Sequence, residues 1–184
     1  MSGMKKILLI SGKRKSGKDY ISSALHNILS DRSQIVRIST PIKGEWAKRL
    51  NLNLNELLSD GPYKENFRKD MIEWSDSVRA EDYGYFCRAA MLDAKAEIII
   101  VSDIRRKTDI KYFRETYGPL VYTVRINTKN TVRIDRGWIF TSGVDDVVSE
   151  CDLDDYQQWD LVLENNCKSD GEECIKAITT KCHL

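Results

Sequence analysis

The stretch Gly12-Lys13-Arg14-Lys15-Ser16-Gly17-Lys18-Asp19 has the spacing of a phosphate-binding loop, with an aspartate where the pattern asks for Ser or Thr. The chemistry of such a loop is the holding of a polyphosphate. Its glycines let backbone N–H groups turn onto phosphate oxygens, the following helix presents its positive N-terminus, and Lys18 reaches the outer phosphates. A lysine-rich surface turn is the competing reading, but a turn needs neither a strand before it nor a helix after it. Asp19 takes one of two roles. It is a hard oxygen ligand for magnesium, direct or through water, or an acid in a first helical turn favoured by the helix dipole.

Three more basic clusters have the residue types to grip an anion. In "VSDIRRKTD", Asp103 ends an apolar run, where a second magnesium-binding acid is expected beside a phosphate loop. Arg105 and Arg106 follow it and suit a bidentate grip on phosphate or carboxylate. Helix starts favour acids over bases, which weakens the alternative of a solvated charge run. In "YKENFRKDMIEWSDSVR", Lys64, Arg68 and Arg79 share one helical face with Lys69 beside it, and a solvated face explains them equally well. Arg88 and Lys43 are ambiguous taken singly. In "VRINTKNTVRIDRGWIF", Arg125 ends a strand, and Arg133 and Arg136 sit three apart on a short helix before Gly137-Trp138. An arginine-bearing lid of that kind neutralises charge and excludes water during phosphoryl transfer; a basic surface helix is the bland alternative. His26 and His183 give no support to a histidine-based centre. Asp145-Asp146, after Gly143, read as turn or surface acids.

The elements that must carry these residues follow from the apolar pattern. Strands are expected at Lys6 to Ser11, Gln34 to Ser39, Glu97 to Ser102, Leu120 to Ile126 and Asp160 to Asn165, the middle three rich in β-branched residues as in a doubly covered parallel sheet. Helices are expected at Gly17 to Leu29, Lys64 to Arg79, Tyr85 to Ala94, Asp109 to Thr116 and Glu172 to Thr180. This alternation predicts an α/β three-layer fold with a parallel five-stranded sheet and right-handed crossovers. Residues 41–95 hold no strand signal and are expected to form a helical flap over the carboxyl edge of the sheet, where ligands bind in open α/β folds.

Composition sets the outer bounds. The 184 residues suit one domain, 41% hydrophobic and 31% charged. A net charge of +1 argues against a general nucleic-acid binder, although basic residues dominate up to about Arg114 and acids crowd Asp145 to Glu173. The five cysteines form no CxxC pair, which argues against a disulfide framework or zinc site and fits a reducing compartment. The run "KKILLISG" is too short for a signal peptide or membrane span. A cytoplasmic monomer without membrane contact is the expectation. The final Cys182-His183-Leu184 follows the pattern of a peroxisomal address, and a frayed terminus is the alternative.

The stretches "SGKRKSGKD", "YKENFRKDMIEW", "YFCRAA", "VSDIRR", "YFRETYG" and "RGWIFTSGVDD" together closely resemble the animal-type phosphomevalonate kinases, from Ser11 to about Asn165. The resemblance implies a P-loop fold of nucleoside-monophosphate-kinase type over residues 1–184, with residues 41–95 binding the acceptor and 127–150 forming a lid. It implies transfer of the γ-phosphoryl of ATP, with Mg2+, to mevalonate 5-phosphate in isoprenoid and sterol biosynthesis. The ATP-binding loop carries over to Lys13 through Asp19 with Gly12 before it, including the aspartate. Basic acceptor and lid residues match Arg79, Arg105, Arg106, Arg125, Arg133 and Arg136, and Asn165 matches a binding residue. Lys18, Arg14 and Arg106 are the expected catalytic group; Lys64, Arg68, Lys69 and Arg88 join the expected acceptor set; Asp19 and Asp103 are the expected metal ligands. Ser142 stands where the family pattern has proline, and the tail beyond Asn165 diverges. A nucleoside monophosphate kinase and a non-catalytic polyanion-binding module are the rival readings.

Overall fold

The computed structural model describes residues 3–59 and 62–184. Strands β1 (Lys6–Ser11), β2 (Ser33–Val36), β3 (Ile98–Ile104), β4 (Val121–Asn127) and β5 (Leu161–Glu164) form one parallel sheet in the order β2-β3-β1-β4-β5. The chain moves from β1 to one side of it and later crosses to the other, so the loop after β1 emerges at the topological switch point, where α/β sheets bind ligands.

Side-chain alternation along β1 feeds two cores. Ile7 and Leu9 pack with Val101, Phe86 and Phe113 on one face. Leu8 and Ile10 pack with Ile21, Leu25 and Ile178 on the other. Every residue of β3 is buried, and each large aliphatic side chain so placed contributes about 1.5–3 kcal/mol of transfer free energy. That rigid centre is what the loop hangs from.

Helix α1 (Lys18–Leu29) follows the loop at once. Between β2 and β3 come α2 (Ser39–Leu50), α3 (Leu54–Leu58), α4 (Pro62–Glu81) and α5 (Tyr85–Met91), with no strand among the described residues. Trp46, Ala47, Leu57 and Met71 give this insertion a small core of its own, with the Trp74 ring tilted against that of Trp46 at 5.4 Å between centroids. Helix α6 (Lys107–Tyr117) joins β3 to β4, α7 (Asn130–Asp135) and α8 (Val148–Cys151) lie between β4 and β5, and α9 (Lys168–Cys182) closes the chain.

The second strand is shorter than the apolar run Gln34 to Ser39 suggests. Asp103, at the end of β3, accepts the backbone N–H groups of Ile38 (2.8 Å) and Ser39 (3.0 Å), and the chain turns into α2 there. Helix α9 starts four residues before the expected Glu172, because Asp170 accepts the amides of Asn166 and Cys167 and caps the entry. The helix expected at Tyr85 to Ala94 ends at Met91. Among the described residues no helix is long and apolar enough to cross a membrane. The last three residues fold back on the body: Cys182 is fully buried, the Leu184 amide bonds to Thr179 O (3.0 Å), and Lys6 donates to the carbonyl of Cys182.

Candidate active site

The loop between β1 and α1 is built so that only small residues fit its ends. A Cβ on Gly12 would lie 2.4 Å from Ser16 Oγ and 2.8 Å from the Ile126 carbonyl. Gly17 has φ of 89°, and a Cβ there would lie 2.3 Å from Asn165 Nδ2. Lys15, also left-handed at φ 62°, shares the turn.

Outside groups seize the loop's carbonyls. Arg133 Nε donates to Arg14 O (2.8 Å), Arg136 Nη1 to Lys15 O (3.3 Å) and Ser16 O (3.2 Å), Asn165 Nδ2 to Ser16 O (2.8 Å), and Thr128 Oγ1 to the same oxygen (3.0 Å). Within a planar peptide the N–H points opposite to the C=O, so anchoring carbonyls on the outside aims amides to the other side, as an anion nest requires. Arg133 is buried and its guanidinium lies 3.8 Å over the Trp138 ring; burial lowers its pKa from the ordinary arginine value. Arginine and asparagine here shape the loop.

The loop opens on a cleft of about 790 Å³. Arg14, Lys15, Lys18 and Asp19 line one side; Lys64, Arg68, Ser75 and Arg79 of α4 line another; Asp103, Arg105, Arg106 and Asp109 line the floor at the end of β3. Apolar Ile38, Ile42, Met71 and Ile72 complete the wall. The α4 residues recur at helical spacing, so one face looks into the cleft, as the pattern of Lys64, Arg68 and Arg79 predicts. Lys18 is 7% exposed and its Nζ lies 3.0 Å from Asp19 Oδ2.

Carboxylates meet most of the other cleft cations. Glu65 bonds Arg68 at 2.6 Å, and this bond lowers the Glu65 pKa. Burial works to lower the pKa of Arg68, but the bond and charge of Glu65, with Glu150 and Asp145 further off, raise it. Arg79 meets Asp109 at 2.5 Å; here too burial opposes, and the Asp109 charge prevails to raise the pKa. Arg106 pairs with Asp76, and Arg105 with Glu150.

Asp145 corrects its expected role as a turn or surface acid. Its side chain is 5% exposed and accepts from Arg14 (3.2 Å), Trp138 Nε1 (3.1 Å) and the Thr141 amide (2.9 Å). One carboxylate thus ties the phosphate loop to the segment after α7. Asp154 does the same further along, holding Lys13 at 2.5 Å and Arg125 at 3.1 Å.

Residues 10–119 match the family model described as phosphomevalonate kinase. A Drosophila melanogaster protein named phosphomevalonate kinase is 59% identical over 175 residues, covering 92% of this chain and 93% of the relative. The chain belongs to the phosphomevalonate kinase family. It is therefore a kinase, and nucleotide use goes with that membership. Likeness to solved structures supports the fold alone. A Thermus thermophilus protein has a TM-score of 0.58 at 16% identity, covering 97% of this chain and 98% of its own. An APS kinase from Mycobacterium tuberculosis, solved with AMPPNP and APS, has 0.54 at 14%, covering 98% and 99%. A gluconokinase from Sinorhizobium meliloti has 0.53 at 11%, covering 98% and 93%.

Among the residues that motif and family pattern single out, Arg14, Lys15, Lys18, Asp19, Lys64, Arg68, Arg79, Asp103, Arg105 and Arg106 come together around the cleft. Gly12, Ser16 and Gly17 shape the loop, which Arg133, Arg136 and Asn165 brace from behind. Lys13, Arg125 and Arg133 border a smaller cavity of about 310 Å³ with Lys129 and Glu164. Two residues neither line a cavity nor shape or brace the loop. Lys69 is 82% exposed, one position off the inward face of α4, and lies 3.9 Å from Glu73. Arg88 turns outward on α5 and pairs with Asp82. The acids Asp76, Asp109, Asp145, Glu150 and Asp154 are the contributors sequence reasoning missed. The basic side chains they hold lie 29 to 141 residues away, beyond any local pattern.

Proposed function

We propose that this chain transfers the γ-phosphoryl group of ATP to mevalonate 5-phosphate, giving mevalonate 5-diphosphate and ADP. What carries the reading, beside family membership, is that Lys18 and Arg14 of the loop share one cleft with Arg68, Arg79, Arg105 and Arg106. Two anionic reactants can then approach within bonding distance only because cations surround the gap. Lys18 and Arg14 neutralise the transferring phosphoryl group; Arg106 bridges toward the acceptor phosphate. Lys64, Arg68, Arg79 and Arg105 orient the acceptor's phosphate and carboxylate, and the apolar wall of Ile42, Met71 and Ile72 suits its branched hydrocarbon centre. The acceptor phosphate has a second pKa of about 6 and is mostly ionised at neutral pH, so no strong general base is required.

Magnesium fits this site as a companion of the nucleotide. Such an ion takes one or two carboxylates plus phosphate oxygens and water, and among the described residues no cluster of three ligating side chains exists. Asp19, 65% exposed at its side chain beside Lys18, is the available carboxylate. Asp103, with an amide on each oxygen, is suited to a water-mediated contact. When bound, the ion would withdraw charge from the β- and γ-phosphates. In the same reading residues 41–95 bind the acceptor and 127–150 close as a lid over a monomeric, cytoplasmic enzyme. A peroxisomal address in Cys182-His183-Leu184 would require this docked end to detach first.

A coupled ADP-release assay with mevalonate 5-phosphate and nucleoside monophosphates side by side tests the assignment. Turnover with the former alone is expected. Phosphorylation of a nucleotide but not of mevalonate 5-phosphate would overturn it.

A further inference from the structure

Asp109 lies at the third position of α6 and is 1% exposed. Four donors converge on its carboxylate from three parts of the chain. Arg79 Nη1 of α4 approaches Oδ1 at 2.5 Å, and the Cys87 thiol of α5 lies 3.6 Å from the same oxygen. The backbone amides of Arg105 and Arg106 approach Oδ2 at 3.3 and 3.1 Å. All three arginines line the cleft. The pairing is also reciprocal: Asp76 and Arg79, one turn apart on α4, meet Arg106 and Asp109, three apart at the start of α6.

A buried carboxylate that only capped α6 would need the two amides and nothing more. Here the other oxygen takes the guanidinium of a residue 30 positions away, and the Arg79 guanidinium also lies 5.5 Å from the Phe86 ring. A planar, forked cation held on both its edge and its face has little rotational freedom left. We propose that Asp109 is a positioning residue for the acceptor half of the site: it fixes the direction of Arg79 and the backbone from which Arg105 and Arg106 reach the acceptor. It touches no reactant; it acts through the arginines. The inference rests on the functional reading above.

Steady-state kinetics on the full chain test it through a double-mutant cycle of Asp109→Asn and Arg79→Gln. Asp109→Asn is expected to raise the KM for mevalonate 5-phosphate about tenfold, within the coupling range of residues in direct contact, while the KM for ATP stays within about twofold. In an Arg79→Gln background the same change should add little, because the asparagine carbonyl oxygen still accepts the Arg105 and Arg106 amides and only the Arg79 pair is lost. A rise in both KM values together, or independent multiplication of the two effects, would overturn the proposal, since either outcome describes a merely structural acid. Asp109→Glu keeps the charge and shifts the oxygens by one methylene; it too should raise only the acceptor KM, and an unchanged value counts against the idea even if Asp109→Asn does not fold. Cys87→Ala removes the thiol contact and should leave both KM values unchanged; an equal acceptor-selective loss would assign the effect to packing and sink the role of the carboxylate. Wild-type turnover separates the two failures. If wild type does not use mevalonate 5-phosphate, the functional reading falls, and the cycle is read by calorimetry with inorganic phosphate on protein saturated with AMPPNP. Asp109→Asn must then weaken phosphate binding only when Arg79 is present; otherwise the proposal is overturned.

Discussion

Around the phosphate loop, Arg133 and Arg136 direct their hydrogen bonds to neutral carbonyls, those of Arg14, Lys15 and Ser16. Across the cleft, Arg68, Arg79, Arg105 and Arg106 each meet a carboxylate instead: Glu65, Asp109, Glu150 and Asp76. The difference is electrostatic. A carbonyl orients a guanidinium without cancelling its charge, so Arg133 and Arg136 keep their positive field behind the loop. A carboxylate orients and neutralises together, which lowers the cost of keeping a buried arginine before its ligand arrives. The two arginines behind the loop are thus left less compensated than the four across the cleft. The loop's own cations do not share this freedom: Lys13, Arg14 and Lys18 meet Asp154, Asp145 and Asp19.

The contrast can be broken at several depths. Lys18→Met removes the loop's buried ammonium and should lower turnover by about a thousandfold, the upper range for deleting one preorganised charge-stabilising group, with an unchanged circular dichroism spectrum. Wild-type turnover would refute the role of Lys18. Gly17→Ala forces a side chain into a left-handed position against Asn165; strain of about 1–3 kcal/mol should lower the thermal midpoint and raise the KM for ATP. Asn165→Ala deletes one brace on Ser16 O. About 1 kcal/mol per hydrogen bond predicts a KM for ATP higher by about fivefold, with the acceptor KM unmoved. An acceptor effect as large would erase the distinction between the two halves. Least affected should be Arg88→Ala, whose guanidinium pairs with Asp82 outside the cleft; acceptor KM is expected to change less than about twofold, as for surface substitutions generally.

The sheet and loop were legible because their signals are local. "KILLIS" gives β1 residue for residue, and a strand before the loop and a helix after it separate a phosphate loop from a lysine-rich turn. Local reading loses its grip where distant residues intervene. β2 stops at Val36 because Asp103, 65 residues beyond Ile38, takes the amides that would have continued it. Lys69 and Arg88 look like their neighbours Arg68 and Arg79 in composition; only the rotation of α4 and the outward face of α5 set them apart. Asp109 was in plain view inside "VSDIRRKTD", but as a helix start. Its partner Arg79 sits on α4, and no spacing rule connects the two.

The acids of the segment from Asp145 to Asp154 carry one more consequence. Asp145 holds Arg14, Glu150 holds Arg105, and Asp154 holds Lys13 and Arg125. The protein behaves there like an ion-exchange resin already loaded with carboxylate. An arriving phosphate trades places with a tethered anion rather than with free counter-ions from solution, and the displaced acids swing aside while remaining attached. Few bulk ions are taken up or released in such an exchange. Affinity at this site should therefore vary with ionic strength less steeply than so many bases would suggest.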